Sequence, residues 1–205
     1  MPKAIVKEIY KDKPALHAAN RKQWRQWLQA HHDTGKSVWL IFFRKGHEES
    51  GITYVEAVEE ALCFGWIDSV VNKRDALSTY QYFSPRKAGS IWSVSNKERV
   101  ARMTAQGLMT PAGQALIDIA KENGAWDAAD LIDQTLMPED MEALFGKHKK
   151  ALKHFNAFPP SSKKMILQWI LNAKRPETRK QRILQTIELA AQNIRANHPV
   201  NRQIK

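Results

Sequence analysis

Between Thr53 and Phe83 the hydrophobic pattern changes its period, and that change narrows the fold class more than any other stretch of the chain. Thr53-Tyr54-Val55-Glu56 has the form of a capping box, a hydroxyl at the cap and a carboxylate three positions on. Tyr54, Val58, Ala61 and Leu62 then recur at helical spacing, and Gly65 is placed to stop the helix in a left-handed conformation. Beyond it, Trp66–Val71 and Thr79–Phe83 are rich in β-branched and aromatic residues, joined by a polar segment of hairpin length. Val38-Trp39-Leu40-Ile41-Phe42-Phe43, bounded by Gly35 and Gly46, is a further buried strand. The expectation is an α+β domain with a small, mainly antiparallel, three-stranded sheet and packed helices.

Asn20 is a cap for a helix that places Trp24, Trp27 and Leu28 on one face. The first thirteen residues alternate lysines with apolar residues and read as a weakly ordered or edge segment. After the hairpin the pattern is helical. A second capping box spans Ser95–Glu98, Thr110-Pro111 opens a helix through Leu116, Ile117 and Ala120, and Asn123-Gly124 closes it. Residues 126–140 are acidic and interrupted by Pro138, which reads as a partly ordered linker. The last third carries a short helix through Leu152 and Phe155, one from about Ser161 to Ala173, and a long one from Pro176 burying Ile183, Ile187, Ala190 and Ile194. A boundary near residue 135 separates an α+β domain, 1–135, from a helical module, 136–205.

Charge divides the same way. The net +11 is not spread along the chain: residues 1–145 hold 18 Lys and Arg against 19 Asp and Glu, whereas 146–205 hold 14 against 2. The basic excess therefore belongs to the helical module, where Lys174, Arg175, Arg179 and Arg182 form a surface suited either to solvent or to an anionic partner. Nucleic acid is the less favoured partner, because these helices lack interleaved aromatic rings. No apolar run approaches the roughly 18 residues of a membrane span, and Met1–Val6 lacks the apolar region of a signal peptide, so a cytoplasmic address is expected.

Cys63 is the single cysteine and lies near a helix C-terminus between Leu62 and Phe64, which reads as packing rather than as a nucleophile. The seven histidines are scattered, and adjacent residues such as His31 and His32 diverge on a helix, so no metal site is expected. None of the nine glycines forms a phosphate-loop fingerprint, and no cofactor is expected. Asp68 stands out because aspartate is disfavoured in a strand and must find a donor there. Strand alternation puts it on a face with Trp66 and Val70. Arg86 or Lys87, at the end of the paired strand, can meet it as a structural ion pair or as part of a site. Ser84–Ser90 can present several donors to one anion, and Trp92 reads first as core and second as the wall of a cage. The candidate binding residues are thus Trp66, Asp68, Arg86, Lys87, Ser90 and Trp92, for a small anionic molecule. An enzyme using Asp68 as acid or base is the alternative.

Trp24–Leu28, Val38–Leu40, Tyr54–Ser69, Phe83–Lys87 and Ser90–Ser93 resemble the YdeI/OmpD-associated family, whose members are labelled bacteriocin-protection proteins. Phe158-Pro159-Pro160-Ser161, Trp169-Ile170 and Ala173–Ile183 look like the helical module that names that family, and the likeness runs from about residue 20 to 195. The resemblance implies a bacterial protein linked to stress or antimicrobial resistance, and the charged and aromatic residues of the two clusters suggest that it acts by binding. It supplies no reaction and no catalytic residue. The family label suggests association with an outer-membrane porin, but direct porin contact is not expected of a chain read as lacking an export signal.

Overall fold

The computed structural model describes residues 6–34 and 36–197, and the expectations for residues 1–5, for Gly35 and for the end of the basic module after 197 lie outside them. The chain falls into two compact units, Met1–Ala88 with Ser95–Ile119, and Gly89–Val94 with Ala120–Lys205.

The first unit is built on strands β1 (Val6–Tyr10), β2 (Lys13–His17), β3 (Val38–Phe43), β4 (Trp66–Lys73) and β5 (Ser78–Pro85). They form a five-stranded sheet in the order β1-β2-β3-β5-β4. The β2–β3 pair is parallel and the other neighbours are antiparallel. This corrects the expected three-stranded sheet: the fold is α+β with a mixed sheet of five strands. The two extra strands come from the lysine-rich opening segment. Their hairpin turns on Lys11 and Asp12, both at positive φ (48° and 59°), without the Asn-Gly or Asp-Gly pair that marks such turns in a sequence. Pro14 sits within β2 opposite Ile9, where proline would ordinarily count against a strand.

Helix α1 (Arg21–His31) makes the crossover that the parallel β2–β3 pair requires. Asn20 caps it as expected, its side chain accepting from Gln23 N at 3.0 Å. The predicted capping box opens α2 (Tyr54–Cys63) in full, and Gly65 ends that helix at φ +73°. A Cβ there would lie 2.8 Å from Leu116 Cδ1. The buried side chains include Trp24, Leu28, Leu40, Leu62 and Phe83. Trp24 packs edge-on to Phe83, and its Nε1 donates to Ala57 O at 3.0 Å.

Helix α2 also buries two adjacent carboxylates, Glu59 and Glu60. Arg21 Nε donates to Glu60 and Arg21 Nη1 to Glu59, at 2.6 and 2.9 Å. Arg25 completes Glu60 at 2.6 Å and Arg102 completes Glu59 at 2.9 Å. Arg102 comes from α3 (Val94–Ala105), which begins one residue ahead of the Ser95 cap expected for it. Cys63, at the end of α2, is fully buried, and burial pushes its thiol up to about 11, as suits a packing residue.

Helix α4 (Pro111–Glu122) opens after Thr110, whose Oγ1 accepts from Gly113 N, and the division between the units falls within it. In the second unit the expected linker is instead two short helices, α5 (Ala128–Gln134) and α6 (Glu139–Phe145), separated by Thr135 at φ 55°. At seven residues each they are too short for periodicity to declare, but Ala128, Met141 and Phe145 are buried. Helices α7 (Lys149–Ala157), α8 (Pro160–Leu171) and α9 (Pro176–Ala191) complete the unit around Phe155, Ile166, Ile170, Ile183 and Ile187. Ile194 follows α9 rather than belonging to it.

Candidate ligand-binding site

Three local features of the first unit place Asp68. Gly51 lets the loop before α2 press against the end of β2, since a Cβ there would lie 2.2 Å from Ala18 O. That approach, with Ile52 N donating to Ala18 O at 3.1 Å, sets Thr53 as the helix cap and Tyr54 in the first turn. Opposite, the pairing of β4 with β5 slips: Asp68 faces Phe83, yet Val71 already faces Gln81. This β-bulge inserts one residue and returns Val71, rather than Val70, to the face that carries Asp68. The alternation expected from the sequence is broken there, and no glycine announces the break.

Asp68 Oδ2 accepts hydrogen bonds from Tyr54 OH at 2.8 Å and Gln81 Nε2 at 3.2 Å. Burial, the bond to Asp68 and the charge of that carboxylate raise the Tyr54 hydroxyl above its usual range. The pair lies in a cavity of about 920 Å³ that Phe42, Phe43, Ile52 and Val71 line with apolar surface and Lys45 with a cation. The cavity thus offers an apolar body site and one carboxylate held by two neutral donors.

The other predicted residues are placed differently. Trp66 is 1% exposed and its Nε1 donates to His32 O at 3.0 Å, which makes it core. Arg86 is 6% exposed and does not line the cavity, and its N donates to Gly65 O at 2.9 Å. Burial lowers its guanidinium to about 10, with the charge of Asp68 acting the other way. Lys87 is exposed. Ser90 and Trp92 belong to the second unit, where Trp92 is 1% exposed and packs 5.2 Å from Trp126. Tyr54 and Gln81 are the partners that sequence reasoning missed: Tyr54 counts there only as one of the apolar residues at helical spacing, and it is 45% exposed. Its position directly after the cap, in the first turn, is the signal that could have marked it.

In the second unit the four basic residues divide. Arg179 makes a bidentate pair with Asp140 at 2.6 and 2.7 Å and holds that carboxyl below its ordinary range. Arg182 donates to Trp169 O and lies 5.0 Å over the Trp169 ring. Lys174 and Arg175 are exposed, at the rim of a separate cavity of about 620 Å³. Among the described residues no three His, Cys, Asp or Glu side chains converge as a metal-ligand set, and no helix is long and apolar enough to cross a membrane.

Two family models match the chain. Residues 16–116 match a domain of unknown function, DUF8412, and residues 136–193 match the family described as bacteriocin-protection, YdeI or OmpD-associated. No curated protein and no solved structure matches it. The cavity at Asp68 therefore lies within the residues that match a domain of unknown function, whereas residues 136–193 match the bacteriocin-protection, YdeI or OmpD-associated family.

Proposed function

We propose that this is a bacterial protein of stress or antimicrobial resistance that acts by binding, with the Asp68 cavity as its small-molecule site. The carrying observation is a carboxylate, already oriented by Tyr54 and Gln81, among the lining residues of a cavity otherwise largely apolar. Asp68 Oδ2 takes both of these bonds, and Oδ1 accepts none from the described residues. A ligand with an apolar body and a hydrogen-bond-donating or cationic head completes that inventory, since an ionised carboxylate only accepts. Neither Arg86 nor Lys87, from which an anionic ligand is expected, lines this cavity, and Lys45 is the one cation among its lining residues. The match of residues 136–193 to the bacteriocin-protection family supports the resistance role.

The test is a thermal-shift and calorimetric comparison of phenethylamine, phenethyl alcohol and phenylacetate on the wild-type chain and on D68N. The amine and the alcohol should raise the melting temperature, and the acid should not. Replacing Asp68 by Asn should weaken the amine by about tenfold, the size of one charge-assisted hydrogen bond. Equal binding of the acid, or a D68N chain that binds the amine unchanged, would overturn the reading.

A further inference from the structure

The opposite face of the first unit's sheet carries a second, smaller cavity that shares no residue with the one at Asp68. Lys11, Lys13, Trp39, Val70, Asn72 and Tyr82 line about 320 Å³ there. The bulge in β4 that sends Val71 to the Asp68 side leaves Val70 for this one. Trp39 forms its floor, packed 4.7 Å from Tyr82 and 5.2 Å from Tyr10, with Tyr10 stacked in turn on Tyr80 at 4.0 Å. These ring contacts stand without a ligand.

The polar inventory is one-sided. Trp39 is 5% exposed, and its Nε1 meets no acceptor among the described residues, a costly state for a buried donor. The positive-φ turn at Lys11 and Asp12 sets Lys11 and Lys13 at the mouth, and no carboxylate lines the cavity. The nearest acceptors are already engaged. Tyr82 OH donates to Ser37 Oγ, and the Asn72 amide, oriented to satisfy both its ends, accepts from Lys11 Nζ at 3.2 Å and donates to Val71 O. Glu8, further along β1, is committed to Arg74 and to Tyr80 OH. What the cavity lacks is an acceptor with negative charge, and what it offers besides is an aromatic wall.

We propose that this cavity binds a small planar aromatic anion, its ring against Trp39 and Tyr82 and its charged group at Lys11 and Lys13. The volume is near the lower end of small-ligand sites, about 300 Å³, and admits a ring with one anionic substituent. A carboxylate and a phosphate ester share this chemistry, and the experiment separates them.

The full chain, labelled with 15N, is titrated with benzoate and with phenyl phosphate while the indole N–H resonances are followed, that of Trp39 being assigned by its absence from W39F. The Trp39 resonance should move and saturate with at least one of the two, and the tighter of them names the anion. The double variant K11A/K13A should raise the dissociation constant at least fivefold, and D68N should leave the titration unchanged. Should W39F not fold, the resonance is assigned through its contacts with Tyr82 and Tyr10, and the lysine variants at the mouth carry the test. Inorganic phosphate alone or benzyl alcohol alone moving the resonance as far would overturn the proposal. So would no movement with either aromatic anion at about 10 mM, a concentration that detects even millimolar affinity.

Discussion

The two units handle charge in opposite ways. In the first, Glu59 and Glu60 sit inside the fold, 6% and 1% exposed, and three arginines from two helices satisfy them. In the second, the core of Phe145, Phe155, Ile166 and Ile183 is apolar, and the ion pairs Arg179–Asp140 and Lys164–Asp133 are at least partly solvated. Charge is therefore structural in the first unit and peripheral in the second, although their net charges are similar: 17 Lys and Arg against 12 Asp and Glu in the first, 15 against 9 in the second. Net charge along a chain describes how it meets solvent and partners, and the wiring of individual carboxylates decides what holds it together.

The most severe test of that contrast is E60A, which removes the carboxylate shared by Arg21 and Arg25 and leaves Arg21 only Glu59. Breaking a buried pair from one side costs about 3–5 kcal/mol, and chemical denaturation should show a loss of that size. A loss below about 1 kcal/mol, the range of surface pairs, would erase the distinction. R179A is the counterpart in the second unit and should cost at most about 1 kcal/mol at neutral pH. Because Arg179 depresses the Asp140 carboxyl, its stabilisation is complete above the ordinary carboxylate range and is lost as pH falls through the folded value. Melting curves of wild type and R179A should accordingly converge once pH falls below the depressed Asp140 value. The smallest effect expected is at Cys63: with its thiol at about 11 and no exposed surface, a thiol reagent at neutral pH should leave the native chain unlabelled and react only on unfolding. Rapid native labelling would show that the first unit opens around its buried charges.

The same division runs through what could be read in advance. Helices α1 and α2 were legible because Asn20, Thr53-Glu56 and Gly65 are local signals whose physics lies within a few residues. Strand β3 declared itself as an apolar run, and the β4–β5 hairpin by its flanking β-branched and aromatic residues. The β1–β2 hairpin was hidden, because its turn residues are not the usual ones and its strands carry lysines and a proline. At the candidate site Asp68 was legible as an aspartate out of place in a strand. Its partners were not: Tyr54 lies 14 positions before it and Gln81 13 after, and a bulge decides which neighbours share its face.

By itself, then, the sequence determined the order and type of most elements, the segregation of basic charge into the last 60 residues and the anomaly at Asp68, since each depends on neighbours in the chain. The tertiary structure alone decided that the sheet has five strands, that Glu59 and Glu60 are interior, and that Trp66 is core rather than wall. It alone also put Val70 and Val71 into different cavities. These are outcomes of register and burial, set by contacts between residues far apart in the chain, and no local pattern encodes them.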